Sequence, residues 1–283
     1  MRTHYLPRYY LSGFAQDNEP AIIWIYEKGK KEPFATQIEQ VAIEKNMYPK
    51  DFETYLANDI EWPANSVLGK IRERKMISDE DKTVLSKYMT VMLKRVPRGM
   101  QRFKEKAPQV IDKLKVEIDR KLAARAEQYP TKADQIKRRR EEAQKILERF
   151  KESPPKEAWI SAIKPEMTPG VSELLSQMTW QFFVCEKPSA FLTCDNPVFF
   201  FERIGIGKPY SEVSFPISSY IALWATWRSD LKGGFFTVGR RLVYEINRRT
   251  AKIASRFVFF HKKEAWVVAL VNKKTHNLNW IIR

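Results

Sequence analysis

The distribution of apolar and polar positions predicts strands near both ends of the chain and helices between them. Residues 21–28, A-I-I-W-I-Y-E-K, are β-branched and aromatic and lie between Pro20 and Gly29, a pattern typical of a strand. From residue 78 onward the apolar residues recur at helical spacing, at Leu85, Tyr88, Met92 and Val96. Ser78 precedes an acidic run and has Asp81 three positions later, which predicts a capping box at the start of this helix.

Residues 100–153 predict two charged helices that fold back on each other. The apolar stripe of the first helix is narrow and consists of Ile111, Leu114, Ile118 and Leu122. The stripe of the second helix consists of Ile136, Ala143, Leu147 and Phe150. Pro130 separates the two helices, and Thr131 is placed to cap the second one. Two similar helices with thin apolar stripes predict an αα-hairpin that projects from the body of the protein.

The final part of the chain alternates between helical and extended patterns. Helices are predicted at residues 170–185 and 241–257. Strands are predicted at residues 190–194, 198–202, 219–227 and 264–272. Strands at both ends and helices in the middle define an α+β fold, whose mixed or antiparallel sheet is formed by the N-terminal strand and the C-terminal half. We expect a single domain, residues 1–283, with the charged hairpin, residues 100–153, inserted in it.

The chain carries far more positive charge than solubility requires. Its 50 Lys and Arg residues outnumber its 34 Asp and Glu residues, which gives a formal net charge of +16 and a pI near 9.7. The excess is concentrated in residues 203–283, where 15 Lys and Arg face 4 Asp and Glu. Such a field attracts polyanions, which include nucleic acids, anionic membrane surfaces and acidic proteins. A basic surface also serves solubility alone, so the charge favours a nucleic-acid partner without requiring one.

The cysteines and the absence of long apolar runs in the sequence indicate an intracellular protein. Cys185 and Cys194 form no C-x-x-C pair, and two cysteines are too few for a disulfide scaffold of this size. The first residues do not form a charged segment followed by an apolar one, as a secretory signal would. No apolar run approaches the roughly 20 residues that cross a bilayer. We therefore expect a cytoplasmic location, reduced thiols and no membrane span.

The most informative internal motif is T-C-D-N-P-V, residues 193–198, at the end of a predicted strand. Pro197 keeps Asn196 out of the helical conformation, so Asp195 and Asn196 are expected in a turn at the strand tip. A carboxylate and an amide at this position could hold a metal ion, a ribose or an attacking water. The competing interpretation is structural, because Asp and Asn side chains often close turns by hydrogen bonds to the main chain.

The opening M-R-T-H-Y-L-P-R-Y-Y-L combines aromatic, basic and titratable side chains at a terminus, where most chains fray. His4 is suited to acid or base chemistry near neutral pH, and Arg8 to binding a phosphate or carboxylate. Tyr5 and Tyr10 are candidate site residues beside them. A histidine among aromatic residues also serves to fix a terminus by a hydrogen bond to a main-chain carbonyl. If the first strand pairs with the C-terminal sheet, His4 lies close to Asp195.

Two further basic groups are candidate phosphate contacts. Arg95, in R-V-P at the end of a predicted helix, is favoured there by the helix dipole, and a buried Arg95 has two candidate acidic partners. Those partners are Asp195 and Glu61. The basic run of the second hairpin helix comprises Lys137, Arg138, Arg139 and Arg140. Such a run looks like a phosphate-binding patch, although on an amphipathic helix it is more often a solvated face.

Sequence motifs of several common enzyme classes are absent from the chain. It contains no P-loop, no G-x-G-x-x-G, no H-E-x-x-H and no G-x-S-x-G. His261 and His276 lack metal-ligand spacing with each other or with the cysteines, which argues against a structural zinc. A divalent metal would therefore depend on carboxylates, and Asp195 and Glu61 are the candidates.

Several short motifs follow one another in an order that is informative. The chain opens with H-Y-L-P-R-Y-Y-L-S-G-F and continues through I-W-I-Y-E-K, N-M-Y, D-I-E, V-L-G-K-I, R-V-P, C-D-N-P-V and F-P-I-S. This order resembles a bacterial family, domain of unknown function 4238, with its H-Y-x-P-x-x-Y-L-x-x-F start, its R-T-P and its D-N-P-V. Valine replaces the threonine of R-T-P. The resemblance implies no activity, but it draws attention to His4, Tyr5, Pro7, Tyr10, Arg95, Asp195 and Asn196.

The first functional hypothesis is an enzyme that acts on nucleic acid, namely a phosphodiesterase or nuclease. His4 would be the acid or base, and Asp195 would orient a water or hold a metal ion. Asn196, Arg8 and Arg95 would steady the phosphate. The weakness of this hypothesis is the small number of carboxylates, because a two-metal nuclease requires several clustered acids.

Two other hypotheses remain open from the sequence. One is a non-enzymatic module that binds DNA, RNA or a protein partner, or forms a homodimer, through the hairpin and the basic C-terminal third. The other is a nucleotide-like small-ligand binding or modifying protein, with a pocket lined by Tyr5, Tyr10 and Trp24.

Overall fold

The computed structural model describes residues 2–16 and 19–281. Its strands are β1 (Arg2–His4), β2 (Ile22–Glu27), β3 (Phe34–Gln37), β4 (Ile43–Lys45), β5 (Thr179–Val184), β6 (Thr193–Cys194), β7 (Phe199–Phe200), β8 (Glu212–Ser218), β9 (Ile221–Thr226), β10 (Gly234–Thr237) and β11 (Phe257–Phe260). Its α-helices are α1 (Arg8–Ser12), α2 (Lys50–Tyr55), α3 (Trp62–Arg72), α4 (Asp79–Arg95), α5 (Pro97–Gln128), α6 (Ala133–Glu152), α7 (Lys156–Ile163), α8 (Pro169–Gln177), α9 (Arg240–Ile253) and α10 (Ala265–Val271). A π-helical segment, Leu56–Glu61, joins α2 to α3.

The strands of the described residues form sheets of two, five and four strands. The small sheet pairs β1 with β4, the five-stranded sheet has the order β10-β5-β9-β8-β7, and the four-stranded sheet has the order β3-β2-β11-β6. β10 is parallel to β5, while the other pairs are antiparallel. The pairing of β2 with β11 confirms that the N-terminal strand joins the C-terminal sheet. The α+β fold with mixed and antiparallel sheets is therefore confirmed.

The largest core lies between the helices of the first hundred residues and one face of the five-stranded sheet. Helices α1, α3 and α4 supply Leu11, Leu68 and Met92, and β8 supplies Phe215, all of them fully buried. The apolar positions of α4 fall at helical spacing, so that one side of the helix can enter the core. This core holds the chain opening against the sheet.

Helix α9 separates the two larger sheets. Val243 and Ile246 pack against Trp224 on the second face of the five-stranded sheet. Further along the same helix, Ala251 packs with Val258 of the four-stranded sheet. Both sheets therefore depend on α9 for one of their covered faces.

Helices α5 and α6 form the predicted hairpin. Ala107, Ile111 and Leu147 are the buried residues of its small core. Helix α5 has 32 residues and is about 48 Å long, so most of it extends beyond the body. Gly99 allows the start of α5 to pass close to the carbonyl of Lys94, where a side chain would collide. The projecting αα-hairpin is thus confirmed.

Of the two helix caps predicted from the sequence, one is present in the structure and the other is not. The Ser78 hydroxyl accepts a hydrogen bond from the Asp81 N–H at 3.1 Å, and the Asp81 carboxylate accepts one from the Ser78 N–H at 3.0 Å. The predicted capping box is therefore confirmed. The prediction that Thr131 caps α6 is wrong, because Thr131 lies in a 3₁₀ turn and Lys132 occupies the N-cap without a side-chain bond.

The predicted strand at residues 264–272 is wrong, since this segment contains α10. Its β-branched composition favours a strand. However, Val267, Leu270 and Val271 are the buried positions, and their spacing is that of one helix face. Packing of that face on the second core decides the conformation.

The predicted helix at residues 170–185 is correct for its first half and wrong for its second half. Helix α8 ends at Gln177, and the following segment is β5, which lies between β9 and β10. The run W-Q-F-F-V is buried on both faces of the sheet, so its apolar pattern carries no period that would distinguish strand from helix.

The strands around D-N-P are shorter than predicted and belong to different sheets. β6 lies in the four-stranded sheet and β7 in the five-stranded sheet. The segment between them is therefore a connection from one sheet to the other. Helix α9 likewise ends earlier than predicted, at Ile253, which leaves residues 254–256 as a loop before β11.

Candidate functional site

The opening of the chain is part of the protein core. In the pairing of β1 with β4, His4 lies opposite Ile43. Tyr5 is 6% exposed, and Leu6 and Tyr10 are fully buried. The aromatic opening is therefore docked into the body, because its apolar rings gain more from burial than the backbone loses in freedom.

Tyr10 connects the opening to the strand that carries D-N-P. Its hydroxyl lies 2.6 Å from the Thr193 hydroxyl and donates to the Pro216 carbonyl at 2.9 Å. Its ring stacks on Phe215 at 5.2 Å between centroids. Because Thr193 lies in β6, two residues before Asp195, the start of the chain reaches the D-N-P segment as expected, through Tyr10.

The Asp195 carboxylate closes the loop between α9 and β11. Its oxygens accept main-chain N–H bonds from Ser255 at 2.7 Å, Arg256 at 2.7 Å and Phe257 at 3.0 Å. Asp195 is only 3% exposed. Burial raises the pKa of Asp195, and the three N–H donors oppose this shift. This geometry is that of a side chain that holds a turn.

Asn196 has an equivalent role at the other end of the same loop. Its side-chain N–H donates to the carbonyl of Ile253, the last residue of α9, at 3.0 Å. Its side-chain oxygen accepts a bond from the Arg102 guanidinium at 3.2 Å. The same guanidinium donates to the Leu93 carbonyl. Asn196 thus ties α9 to the start of the hairpin.

Arg95 fixes the N-terminal segment from the other side. Its guanidinium donates to the Glu61 carboxylate at 2.5 Å and to the His4 carbonyl at 2.7 Å, and its side chain is 1% exposed. The Tyr48 hydroxyl donates to the Arg95 carbonyl. Of the two candidate acidic partners, the structure therefore selects Glu61, which stands at the end of the π-helical segment.

His4 is half-buried beside this ion pair. Its ring Nε2 lies 3.2 Å from the Glu39 carbonyl. Burial is the main cause of a lowered pKa of His4, and the positive charges of Arg8 and Arg95 add to it. The neutral form of His4 is therefore favoured, and its ring fixes the terminus by a bond to the main chain.

The predicted pair of His4 and Asp195 is not joined in the structure, because the two side chains have different partners. The His4 ring binds the Glu39 carbonyl, whereas Asp195 binds the loop before β11. Within residues 3–16 and 19–281, no hydrogen bond connects the two side chains. Burial raises the pKa of the Tyr5 phenol, and the charge of Asp195 raises it further.

The basic run that was predicted to contact phosphate lies on the hairpin, apart from His4 and Asp195. Lys137, Arg138 and Arg139 are exposed on α6, and Arg140 donates to Asp119 at 2.8 Å across the hairpin.

The aromatic pocket of the third hypothesis is divided between two cores. Tyr5 and Tyr10 belong to the largest core, while Trp24 packs against the core around α9 and α10.

The described residues contain no group of three or more His, Cys, Asp or Glu side chains arranged to hold a metal ion. The metal candidates Asp195 and Glu61 instead bind main-chain N–H groups and Arg95, respectively. Across the part of the chain that the structure describes, no helix is both long and apolar enough to cross a membrane.

A groove beside Asn196 was not predicted from the sequence. Its volume is about 740 Å³, and it is formed by the start of α5, the segment after D-N-P, the end of α9 and residues 278–280. We call it the Asn196 groove. The side chains that determine its chemistry are Asn196, Arg98, Arg203, Lys252, Phe199, Phe201 and Trp280.

One wall of the Asn196 groove is aromatic. Phe201 and Trp280 stack with centroids 4.9 Å apart, and Phe199 meets Phe201 edge-on at 5.0 Å. Behind the rings lies the fully buried Arg249, 5.0 Å from the Phe199 centroid. Its guanidinium donates to Glu212 at 2.5 Å. The rings are thereby held in place, with Trp280 still 39% exposed.

The rim of the Asn196 groove is mainly positive. Arg203 and Lys252 are exposed, and Arg98 is partly exposed. Glu202 is the acid of this region, and it accepts bonds from Arg98 and Arg102, each at 3.2 Å. The bases exceed this acid in number, so an anion is favoured at the rim.

The sequence contained one signal for this groove. The run F-F-F-E-R, residues 199–203, follows D-N-P-V directly and combines aromatic and basic residues. The remaining members, Arg98, Lys252 and Trp280, come from distant segments that only the fold brings together.

The chain matches a family model described as "Protein of unknown function (DUF4238)" over residues 2–264. The protein therefore belongs to this family, as its H-Y-L-P-R-Y-Y-L opening and D-N-P motif predicted. Both motifs lie within the matched region. No curated protein and no solved structure matches the chain.

Proposed function

We propose that the protein binds nucleic acid, and that the Asn196 groove holds a nucleotide of a single strand. The observation that carries this proposal is the occurrence, in one groove, of the stacked Phe201 and Trp280 beside the exposed cations Arg203 and Lys252. Proteins that bind single strands combine these two elements, because aromatic faces stack on bases and cations neutralise phosphates.

The charge of the whole chain supports the same partner. The formal net charge is +16, and residues 203–283, which supply much of the Asn196 groove, contain 15 Lys and Arg against 4 Asp and Glu. Such a field concentrates a polyanion near the surface before any specific contact forms. The free, buried Cys185 and Cys194 fit the cytoplasmic location that we propose for this activity.

Binding has more support than phosphodiester cleavage. A general base or metal ligand needs a lone pair directed to the substrate. Both Asp195 oxygens accept main-chain N–H bonds, and the His4 ring lies against a main-chain carbonyl. A phosphodiesterase that uses His4, Tyr5, Asp195 and Asn196 stays a prediction, which mutation can test.

The test is a titration of labelled single-stranded RNA and DNA, and of a duplex, followed by fluorescence anisotropy over a range of salt concentrations. We expect Trp280→Ala to weaken single-strand binding about tenfold, since one base stack contributes about 1–3 kcal/mol. We expect Lys252→Ala to weaken binding and to lower the salt slope by about 0.7, the value for one phosphate contact on a single strand.

The matched control is Lys113→Ala, which removes the same charge from an exposed position on the hairpin. It should leave both the affinity and the salt slope nearly unchanged. A second comparison replaces Lys137, Arg138 and Arg139 together by alanine. Loss of binding in that triple variant alone would assign the nucleic acid to the hairpin and contradict the groove. Absence of binding at low salt would contradict the proposal as a whole.

A further inference from the structure

An apolar cavity lies at the base of the hairpin. Its volume is about 410 Å³, within the range of small-molecule sites. Its wall consists largely of Phe103, Ala107, Val110, Phe150, Trp159 and Val171. These residues come from α5, α6, α7 and α8, so the cavity exists where the hairpin leaves the body. We call it the hairpin-base cavity.

The wall of the hairpin-base cavity exposes much apolar surface. Val110 is 61% exposed and Phe150 is 43% exposed. Ala107 and Ile111 of the small hairpin core line the same cavity. A ligand with an apolar part can cover such a surface. Binding is then favourable, because water is displaced from the cavity wall and from the ligand.

The charged side chains of the lining are all positive. They are Lys94, Arg102 and Lys106, and the described lining residues include no acid. Arg102 already has hydrogen-bond partners within the protein, because it donates to the Leu93 carbonyl and to Asn196. The two lysines therefore determine which ligand charge is favoured.

Lys94 and Lys106 differ in how they are held. Lys94 donates to the Ala162 carbonyl at 2.9 Å and to the Thr168 hydroxyl, and these bonds use two of its three N–H groups. Lys106 is exposed on α5. A cavity with apolar walls and ammonium groups complements a ligand that is apolar at one end and anionic at the other.

We propose that the hairpin-base cavity binds an amphipathic carboxylate, with its apolar part against Phe103, Phe150 and Trp159 and its carboxylate paired with Lys94 and Lys106. The ligand class follows from the absence of acids in the described lining together with the apolar wall. The site is separate from the nucleotide position in the Asn196 groove and does not depend on it.

The experiment compares three ligands with one chain length and different head groups. Sodium decanoate, decanol and decyltrimethylammonium are titrated into the full-length protein by isothermal titration calorimetry. We expect decanoate to bind at least tenfold more tightly than the other two. Octanoate, with two methylenes fewer, should bind more weakly by about fourfold per methylene.

Variants then locate the site. Lys106→Gln should weaken decanoate about tenfold and leave decanol unchanged. The matched control, Lys104→Gln, changes an exposed lysine of the same helix that does not line the cavity, and it should have no effect. Ala158→Trp, which fills the cavity, should abolish binding of both ligands, with circular dichroism as the check of folding.

Three results would overturn the proposal. They are equal affinity for the three head groups, equal weakening by Lys104→Gln and Lys106→Gln, and lack of decanoate binding at millimolar concentration. Because Lys106 is exposed, its variant is expected to fold, so the head-group comparison remains decisive even if Ala158→Trp does not fold.

Discussion

Tyr10 and Thr193 share a hydrogen bond of 2.6 Å between their hydroxyl groups, although 183 positions separate them in the sequence. This bond joins α1 to β6 and so connects the opening of the chain with the D-N-P segment. The Tyr10 hydroxyl also donates to Pro216, so that one side chain links α1, β6 and β8.

Tyr10→Phe should lower the free energy of unfolding by about 1–3 kcal/mol, because Thr193 and the Pro216 carbonyl lose a buried partner. Tyr10→Ala should cost more, about 3–5 kcal/mol, since it also leaves a cavity beside Phe215. Urea denaturation measures both values. The control is Tyr210→Phe, at a tyrosine that is 79% exposed, which should change stability by less than about 0.5 kcal/mol. A cost of less than about 0.5 kcal/mol for Tyr10→Phe would show that the Tyr10 hydroxyl contributes little to stability.

Asp195→Asn separates the structural role of Asp195 from a catalytic one. An amide cannot accept at both of its heavy atoms, so at least one of the three N–H donors loses its acceptor, at about 1–3 kcal/mol for each donor. We expect a lower urea midpoint, whereas Asp230→Asn, at an exposed surface pair, should have little effect. A stable Asp195→Asn protein that has lost a nuclease activity of the parent would instead support the phosphodiesterase hypothesis.

Arg95→Met should destabilise the protein by about 3 kcal/mol, because the Glu61 carboxylate and the His4 carbonyl lose their buried donor. Adding Glu61→Gln should restore part of this loss, since the unpaired charge is then removed. The comparison is Lys75→Met, which breaks the exposed pair of Lys75 and Glu73 and should cost less than about 1 kcal/mol. If the double variant is no more stable than Arg95→Met, the ion pair is not what Arg95 contributes.

The amine of Lys94 gives stability a characteristic dependence on pH. Burial lowers the pKa of Lys94 from 10.5 to about 8. Between these values the unfolded chain holds a proton that the folded chain has released, so this group makes the protein more stable as the pH rises from about 8 to 10.5. In Lys94→Met the contribution disappears. We therefore expect the stability difference between parent and variant, measured by urea denaturation, to shift in favour of the parent from pH 7 to pH 9.5. A difference that is constant over this range would contradict the lowered pKa.

The elements that could be predicted from the sequence are those with strong local signals. The capping box of Ser78 and Asp81 depends on residues three positions apart, and the two hairpin helices are separated by Pro130. Periodic apolar stripes and breaker residues specify such elements before any tertiary contact forms.

Other elements were decided by tertiary packing. The valine-rich α10 and the aromatic β5 have compositions that suit either conformation, and the surface each one covers determines the result. Arg95 and Glu61 were named as candidate partners, but only the fold could select that pair.

The candidate site was the part least accessible from sequence. The D-N-P motif directly follows β6, at the strand end where it was expected, yet the hydrogen bonds of Asp195 to residues 255–257 depend on where α9 ends. The Asn196 groove combines Arg98 of α5 with Lys252 of α9 and Trp280. Convergence of such distant segments leaves no pattern in any short window of the chain.

The pairing of β2 with β11 has a consequence for biosynthesis. Residues 22–27 leave the ribosome long before residues 257–260, and at usual rates of translation the interval is on the order of tens of seconds. During this time one edge of β2 has no native partner, and Tyr10 lacks its partners Thr193 and Phe215. The nascent polypeptide therefore exposes the unpaired edge of β2, which can pair with other chains. We expect its production in cells to depend on chaperones that shield this segment until β11 has been synthesised.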